Sequence, residues 1–430
     1  MSPIRQHRRI LLASLVGTTV EFYDFYIYAT AAALVFGPLF FPAESASAQL
    51  LFSLLSFGLA FVARPVGAIV FGHFGDRLGR KSTLVVSLLL MGVSTLLIGF
   101  LPTYQMIGWP AALLLCLCRL GQGFALGGEW GGASLLAVEN APPGWVGRFS
   151  SAPQFGAPLG FMAANGLFLA LGAGLSEADF IAWGWRIPFI LSAVLVGVGL
   201  WVRLKVSETS AFAAAEVEDH PPGVPIGMLL RDHLGAAVGT IAGVIAIFAI
   251  FYLGTTFTLG HMTTARGFAR EDVLLIQLAA NLFLACGIGV AAWWADATSP
   301  RRVLIIGSIA TTLAGLAFGP VLASGGLTAL FWLLAVQMTI AGMVYGPLGA
   351  WMSAAFPVRV RYTGISIGFN CGGVIGGALA PLGAQALAGQ GQIALSGLIL
   401  SAAGLVTLLG LTLLKTQRHP GAVAPAGTFS

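Results

Sequence analysis

Apolar segments long enough to cross a lipid bilayer follow one another along the whole chain, separated by shorter polar connectors. A window of about 20 residues, the length that spans the hydrocarbon core as a helix, predicts twelve helices. They lie near residues 9–40, 48–73, 82–101, 109–139, 149–174, 186–203, 232–260, 271–295, 303–322, 326–355, 362–389 and 392–415. Only 9% of the 430 residues are charged, and 57% are hydrophobic. The pattern predicts an all-α polytopic membrane protein.

Lysine and arginine residues are concentrated on one set of connectors. If the amino terminus is cytoplasmic, the external connectors hold only Arg186, Arg266 and Arg270. The positive-inside rule then predicts a multi-pass protein of the cytoplasmic (inner) membrane with both termini in the cytoplasm. The formal charge of +5 follows from this topology. Because the basic residues are scattered over separate loops, they do not indicate nucleic-acid binding.

The longest polar interval, residues 206–233, separates the first six predicted helices from the last six. Asp76 after helix 2 and Asp296 after helix 8 are both followed by basic residues, which indicates a faint internal repeat. Two six-helix repeats are typical of transporters whose site lies near the middle of the bilayer. We therefore predict two pseudo-symmetric six-helix bundles. The expected divisions are 1–205 for the amino-terminal bundle, 206–231 for a cytoplasmic linker, 232–416 for the carboxy-terminal bundle and 417–430 for a cytoplasmic tail.

Five ionisable residues fall well inside predicted helices, all on helices 1, 2 and 4. They are Glu21, Asp24, Arg64, Arg119 and Glu129. An unpaired charge at the centre of a helix costs roughly 2.5 to 3.5 kcal/mol on the insertion scale, so these residues indicate function. The helical rise of about 1.5 Å per residue places all of them except Arg119 at a similar depth near the middle of the bilayer.

Three of these five residues are acids and two are arginines. Even if each arginine pairs with one acid, one carboxyl group lacks a counter-ion in a low-dielectric environment and takes up a proton more easily. A carboxyl group that gains and loses a proton is what a proton-coupled carrier requires. Glu21, Asp24 and Glu129 are therefore the candidates for proton coupling, with Asp24 or Glu129 favoured. The alternative is a fixed ion-pair network that orients the helices and never titrates.

Short motifs in both halves are similar to those of one transporter family. They are Glu21-Phe-Tyr-Asp-Phe25, Ala63-Arg-Pro-Val-Gly67, the segment from Gly72 to Lys81, Arg119-Leu-Gly-Gln-Gly123, Gly127-Gly-Glu-Trp-Gly-Gly132, Trp183-Gly-Trp-Arg-Ile-Pro-Phe189, Ser207-Glu-Thr-Ser-Ala-Phe212 and Phe356-Pro-Val-Arg-Val-Arg-Tyr-Thr-Gly364. The chain resembles the major facilitator superfamily and, within it, the metabolite:proton symporter family. The resemblance implies two bundles that work by alternating access, with helices 3, 6, 9 and 12 facing lipid.

The segment from Gly72 to Lys81 is charged and punctuated by glycines. In the superfamily this motif clamps the two halves on the cytoplasmic face, which implies that Asp76 accepts hydrogen bonds from the N–H groups at the start of helix 11. Glu139 could then pair with Arg80. The alternative is a solvated turn that merely obeys the positive-inside rule. The implied gate residues are Gly72, Asp76, Arg77, Gly79, Arg80, Glu139 and Arg148.

The second half has no close copy of this motif. The corresponding segment, from Trp294 to Arg302, has lost the glycines and contains Pro300. Ala354 and Ala355 stand where the family usually places an acid before Phe-Pro. These departures argue against a matching clamp in the second half.

The substrate is expected to be small and carboxylated. Arg64 and Arg119 could pair with a carboxylate, and neutral side chains would supply further hydrogen bonds. Relatives in the family carry organic acids, including citrate, 2-oxoglutarate and shikimate, and zwitterions such as proline and betaine, whereas sugar-porter motifs are not seen. The expected substrate-binding residues are Arg64, Arg119, Gln154, Tyr252 and Asn281.

These features predict a monomeric transporter that takes up its substrate by proton-coupled symport across the bilayer. No cofactor beyond the proton gradient is expected, and the four cysteines show neither metal-ligand nor disulfide spacing. Histidines fall at or outside helix ends, and no nucleophile with a base is visible, which argues against an enzyme. The alternatives are a proton-coupled antiporter or exporter, and a sensor with a transporter fold that binds a solute without moving it.

Overall fold

The computed structural model describes residues 3–78, 80–205, 225–357 and 360–414. Within them, side chains are not described at positions 9, 72–84, 202–205 and 225. The described chain is helical, without β-strands, and its long helical segments confirm the twelve predicted helices. The predicted tail and most of the predicted linker lie outside the described residues, so the domain boundaries stay a prediction.

The two halves contribute six long helices each. In the first half these are α1 (Arg8–Leu34), α2 (Ala46–Leu78), α3 (Arg80–Phe100), α4 (Pro110–Glu139), α5 (Val146–Gly174) and α6 (Ile187–Lys205). In the second half they are α7 (Leu234–Thr264), α8 (Arg270–Ala297), α9 (Pro300–Ser324), α10 (Leu327–Ala354), α11 (Arg361–Gly389) and α12 (Ile393–Leu413). All except α3 and α6 contain an apolar stretch of 18 residues or more. The stretch at α6, Gly184–Trp201, begins in the turn before the helix, and the apolar part of α3, Val85–Phe100, is shorter.

Shorter helices occupy several connectors. They are Pro3–Gln6, Phe36–Phe40, Tyr104–Ile107, Glu177–Ala182, the 3-10 turn Gly184–Arg186, and Pro225–Asp232 before α7. The first predicted helix was expected to run to residue 40, but α1 ends at Leu34 because Val35 leaves the helical conformation. Phe36–Phe40 then forms a helix of its own, with Pro38 near its start, where a missing N–H costs least.

Several helices that face the centre of the molecule are interrupted. A 3-10 turn at Pro153–Phe155 follows the first turns of α5, since a proline has no N–H for the helical ladder. Wider π turns interrupt α7 at Leu253–Phe257 and α11 at Val374–Leu379. Such turns are frequent at functional sites. The irregular backbone therefore lies on the helices that meet between the halves.

The chain enters α1 and leaves α12 at one end of the bundle, which we name the terminal face, and the opposite end is the distal face. Between the faces, α5 packs along α8 and α2 packs along α11, so these pairs join the halves. Large apolar side chains are exposed on α3, α6, α9 and α12, for example Val93, Val194, Leu316 and Leu409. In a bilayer these surfaces would contact lipid.

Close backbone contact sets the position of the buried arginine of α2. The helix α4 approaches α2 so closely that a Cβ atom at Gly127 would overlap the backbone oxygen of Arg64. A Cβ atom at Gly123 would likewise overlap the backbone of Ala60, one turn earlier on α2. Small residues spaced four apart permit this approach between membrane helices. Arg64 and the functional side chains of α4 are thereby brought to the same level.

Candidate functional site

A central cavity lies between the two halves. About 370 Å³ of space between atoms lies there, part of it continuous with the surroundings of the molecule. Its wall is mostly aromatic and comes from both halves. The lining residues are Phe22, Tyr26, Ala157, Ile247, Phe248, Phe251, Tyr252, Leu284, Tyr345 and Phe369.

A second, smaller cavity of about 200 Å³ adjoins the first at Tyr26. Its wall is more polar, with Thr30, Asn165, Thr255 and Gln277 among the lining residues. The side-chain amide of Gln277 donates to the carbonyl of Thr255 at 2.8 Å, within the π turn of α7. The two cavities thus lie on either side of Tyr26, a polar one and a mostly aromatic one, and both are lined by α1, α5, α7 and α8.

Arg119 is held behind the cavity wall. It is fully buried, and its guanidinium lies over the rings of Phe25 at 4.2 Å and Tyr28 at 4.1 Å from the centroids. Its Nη1 donates to Gln122 Oε1 at 3.0 Å and its Nε donates to the carbonyl of Phe57 at 3.4 Å. Cation–π stacking of this kind stabilises a desolvated guanidinium.

Arg64 occupies a similar aromatic setting. Its guanidinium lies 4.4 Å from the ring centroid of Phe25 and 4.7 Å from that of Phe61. The ring of Phe25 therefore contacts both arginines. Glu21 lies within electrostatic range of Arg64, whereas the described contacts of the Arg119 side chain are with aromatic rings, the Phe57 carbonyl and Gln122. Neither arginine lines the described cavities, because aromatic rings cover both.

Asp24 lies on the side of α1 that faces away from the cavity. Its side chain is almost fully buried, and Ser192 on α6 donates to its Oδ1 at 2.5 Å. The hydroxyl of Thr95 on α3 lies beside the same carboxyl group, but it donates its proton to the carbonyl of Met91 at 2.8 Å. Asp24 Oδ2 has no hydrogen-bond partner among the described residues.

Polar side chains connect the surroundings of Asp24 to Arg119. Gln122 Nε2 donates to Thr95 Oγ1 at 2.8 Å, while Gln122 Oε1 accepts from Arg119. This chain runs from α3 to α4 and ends beside Asp24 on α1. Sequence reasoning missed Thr95, Gln122 and Ser192, although each is a polar residue in a strongly apolar helix. Helices 3 and 6 were expected to face lipid, yet Thr95 and Ser192 lie on their inner sides.

Glu21 and Glu129 are also buried near the centre. Glu21 lies within electrostatic range of Arg64, Asp24 and Tyr345. Glu21 and Asp24 are three residues apart on α1, yet Asp24 turns to α6 whereas Glu21 lies on the side of α2 and α10. Glu129 begins the second part of α4, after the break at Gly128. The three predicted proton-coupling acids are therefore all buried, in different surroundings.

The remaining predicted substrate-binding residues lie around the cavity. Tyr252 lines it directly. Gln154 is fully buried in the 3-10 turn of α5, and its Oε1 accepts from the indole nitrogen of Trp130 at 3.2 Å. Asn281 on α8 donates from Nδ2 to the carbonyl of Pro158 at 2.8 Å. The ring of Trp130 stacks on Phe369 across the halves, with centroids 3.6 Å apart.

At the terminal face, Asp296 at the end of α8 joins the start of α5. Its carboxylate accepts from the backbone N–H of Gly147 at 2.6 Å, from the backbone N–H of Arg148 at 3.2 Å, and from Arg148 Nε at 2.5 Å. The guanidinium of Arg148 also lies 3.5 Å from the ring centroid of Trp145. The expectation that the second half lacks a matching clamp is therefore wrong. The contact needs a carboxylate opposite a helix start, and it does not need the glycines that the second motif has lost.

The other gate predictions at this face have mixed outcomes. Gly79 lies outside the described residues, and nothing is described of the side chains at Gly72, Asp76, Arg77 and Arg80. Glu139 lies 3.9 Å from Arg361, the first residue of α11, so α4 and α11 approach each other as well. The hydroxyl of Tyr362 donates to the carbonyl of Gly128 between the same two helices.

The distal face is closed by residues that the sequence did not single out. Arg270 at the start of α8 pairs with Glu177, just beyond the end of α5, at 2.9 Å. Its guanidinium lies 3.8 Å from the ring centroid of the buried Phe180. Gln385 on α11 donates to Ser47 at the start of α2 at 3.1 Å. Contacts therefore join the halves on both sides of the cavity, and the only sequence signal was a pair of opposite charges on external connectors.

Comparisons with known proteins agree with this architecture. A family model described as "Sugar (and other) transporter" matches residues 10–220. The inner membrane metabolite transport protein YhjE of Escherichia coli is 44% identical over 423 residues, which cover 97% of this chain and 96% of that protein. The shikimate transporter of Escherichia coli is 37% identical, with 88% of this chain and 87% of that protein covered.

A solved structure shares the fold. The proton:xylose symporter XylE, bound to 6-bromo-6-deoxy-D-glucose, superimposes with a TM-score of 0.73 at 16% sequence identity. The match covers 94% of each chain. At this identity the similarity concerns the arrangement of the helices, and it agrees with the two six-helix bundles described above.

Proposed function

Since the chain belongs to the major facilitator superfamily of metabolite transporters, we propose that it is a proton-coupled symporter that brings a small carboxylated metabolite into the cell by alternating access. We place the terminal face in the cytoplasm, because the basic connectors gather there. We further propose that the protein works as a monomer in the cytoplasmic membrane, without a cofactor. As a transporter of this superfamily it is not an enzyme.

The observation that carries the proton coupling is the environment of Asp24. Its carboxyl group is buried, bonded to the neutral hydroxyl of Ser192, and forms no ion pair with a described basic residue. Low-dielectric surroundings without a positive partner favour the protonated form. Loss of the proton would call for a positive charge, and Arg119 is connected to the same pocket through Gln122 and Thr95. Proton binding behind α1 can thus be separate from substrate binding in the cavity.

The carboxylated substrate is supported by charge and by the relatives. Arg64 lies behind the tyrosines of the cavity wall and supplies a positive field there. A shikimate transporter is 37% identical, and proline/betaine transporters are 27–28% identical over most of the chain. All three of those named substrates carry a carboxylate. The apolar rings of the wall would contact the rest of the molecule.

Internal pH in proteoliposomes tests this function. The purified protein is exposed in turn to shikimate, other organic acids, betaines and sugars, with protein-free liposomes as the control. Acidification by carboxylates alone is the expected result. Alkalinisation would indicate antiport, and a response to sugars alone would overturn the substrate class. If no compound changes the pH while ligands still raise the melting temperature, proton coupling is overturned, and flux of labelled ligand then separates a uniporter from a sensor.

A charge-neutral variant tests the proton site. Asp24→Asn is expected to abolish uphill uptake while leaving exchange between equal substrate pools, because the amide fixes the neutral state. Glu129→Gln tests the other favoured acid in the same assay. Asp232→Asn, at an exposed acid outside the membrane helices, serves as the control and should transport normally. Uphill accumulation by both Asp24→Asn and Glu129→Gln would exclude the two favoured proton sites.

A further inference from the structure

Two buried hydrogen-bond donors, one lining the central cavity and one behind its wall, have no acceptor among the described residues. One is the hydroxyl of Tyr345, which lines the cavity on α10 of the second half. The other is the Nε2 group of Gln154, fully buried on α5 of the first half. Gln154 does not line the cavity, but its partner Trp130 stacks on the lining residue Phe369. An unsatisfied buried polar group costs about 1 to 3 kcal/mol. Two of them beside one cavity point to a ligand that supplies the acceptor.

The orientation of the Gln154 amide follows from its neighbour. The indole nitrogen of Trp130 can only donate, so the atom that it meets at 3.2 Å must be the side-chain oxygen of Gln154. The nitrogen of the same amide then carries two N–H groups that point elsewhere. Trp130 itself is fixed by its stack on Phe369 and lies beside the hydroxyl of Tyr345. Trp130 therefore holds the two unsatisfied donors near each other.

The charges around these donors favour an anion over a neutral acceptor. Arg64 lies within electrostatic range of Tyr345, on the far side of the aromatic wall. Glu21 is also within range and opposes it. Because Arg64 is covered by Phe25 and Phe61, it can attract an anion without forming the direct pair that the sequence predicted. The direct hydrogen bonds to the anion would then come from the neutral donors of Tyr345 and Gln154.

An acceptor lies further towards the distal face. Asn281 donates from Nδ2 to the carbonyl of Pro158, which fixes its amide and leaves Oδ1 without a donor among the described residues. On α8 it sits one turn from Leu284, which lines the central cavity, and one turn from Gln277, which lines the smaller one. The site thus presents donors at one end and an acceptor at the other.

We propose that Tyr345 and Gln154 together bind the carboxylate of the substrate, and that Asn281 accepts a hydrogen bond from a hydroxyl group of the same molecule. This inference rests on the proposed function and narrows the substrate class to hydroxylated carboxylates with an apolar or cyclic body. Because Tyr345 belongs to the second half and Gln154 to the first, one carboxylate would bridge the halves. Substrate would then stabilise the closed arrangement, as a carrier that moves only when loaded requires.

The test combines transport with stability. The probe is the acid with the greatest uptake in the proteoliposome panel, and the variants are Tyr345→Phe and Gln154→Leu. Each is expected to raise the half-saturating concentration about tenfold or more, as loss of roughly 1.4 kcal/mol of binding free energy does. Tyr104→Phe, at an exposed tyrosine of a connector, is the matched control and should not change it.

The melting temperature of the ligand-free variants separates recognition from folding. Removing the unsatisfied hydroxyl donor of Tyr345 is neutral or stabilising, so Tyr345→Phe should not melt below the unaltered protein. Gln154→Leu also removes the oxygen that accepts from the indole nitrogen of Trp130, so it is expected to melt lower. An unchanged half-saturating concentration in both variants, or a lowered melting temperature of Tyr345→Phe with unchanged uptake, would overturn the proposal. If the unaltered protein carries no acid at all, the proposed function fails and this inference fails with it. Uptake that is insensitive to both variants refutes the inference alone.

Discussion

The two ends of the α5–α8 pair hold the halves together with similar chemistry in different surroundings. At the terminal face, Arg148 starts α5 and Asp296 ends α8, whereas at the distal face Arg270 starts α8 and Glu177 follows α5. Each guanidinium also stacks on an aromatic ring of the first half. The acids differ most, since the side chain of Asp296 is 5% exposed and that of Glu177 is 70% exposed.

This difference in exposure predicts a difference in strength. Asp296 accepts two backbone N–H groups and a guanidinium in a largely desolvated position, and hydrogen bonds to a charged group contribute about 1.5 to 3 kcal/mol each. An exposed pair such as that of Glu177 contributes about 0.2 to 1 kcal/mol. We therefore expect the distal face to open more readily than the terminal face. For a carrier that works by uptake, the substrate-free protein would then favour the conformation with its cavity open to the outside.

The largest effect is expected from Gly147→Ala at the terminal face. A Cβ atom there would lie 2.6 Å from the carbonyl oxygen of Ala292 and 2.9 Å from Asp296 Oδ1. Overpacking against backbone costs about 1 to 3 kcal/mol, so the closed terminal face should become roughly 30-fold less favoured at about 2 kcal/mol. Double electron–electron resonance spectroscopy measures this opening as a longer distance between spin labels at Pro143→Cys and Thr298→Cys. The labels are placed in a background without native cysteines.

Gly172→Ala is the matched control at the other end of α5. Its added Cβ atom would meet the side-chain atoms Glu271 Oε1 at 2.8 Å and Arg270 Nε at 3.2 Å. These are flexible ends that can move aside, so the distance distributions should change little. Equal opening of the terminal face by Gly147→Ala and Gly172→Ala would show that the backbone contact at Gly147 does not control it.

Arg270→Ala should have an intermediate effect and act on the distal face. It removes both the pair with Glu177 and the stacking on Phe180, together worth about 1 to 2 kcal/mol. Labels at Ala173→Cys and Ala265→Cys should move apart, while the terminal distances stay unchanged. Arg270→Lys keeps the charge without the planar stacking group, so it should open the distal face less. Unchanged distal distances in Arg270→Ala would mean that other contacts close this face.

Much of this arrangement could be predicted from the sequence. Apolar windows gave the twelve helices, and the cost of intramembrane charge marked Asp24, Arg64 and Arg119, which the structure places around one centre. These signals are local, because each depends on a residue and its own helix. The repeat of Asp76 and Asp296 was also visible, but the lost glycines, Pro300, Ala354 and Ala355 argued against a clamp at the second copy.

What the sequence could not show depends on neighbours from distant segments. Pairing of Arg119 with an acid was considered from the sequence, and in the structure its guanidinium lies over aromatic rings of α1 and α2. Ser192 bonds to Asp24 across 168 residues of chain, and no local pattern distinguishes it from other serines in apolar helices. The same holds for Arg270 and Glu177, whose charges fit ordinary connectors until the fold brings them together.

The smallest effect is expected from Glu177→Gln, which removes one exposed charge of the distal contact. The change should be at most about 0.5 to 1 kcal/mol. It should also shrink as salt is raised, since the screening length falls from about 10 Å at 0.1 M to about 3 Å at 1 M. The labels at Ala173→Cys and Ala265→Cys measure this change in distal opening at both ionic strengths.

Glu271→Gln provides the decisive control for this pair. Glu271 also contacts Arg270, at 2.7 Å, but it is the next residue on the same helix and does not join the halves. Its removal should leave the distal face closed, and it should free Arg270 to pair with Glu177 alone. If Glu271→Gln opens the distal face as far as Glu177→Gln does, the face responds to the total charge around Arg270. In that case the exposed acid does not act as a contact between halves, and the distal face is held by its other contacts, such as Gln385 with Ser47.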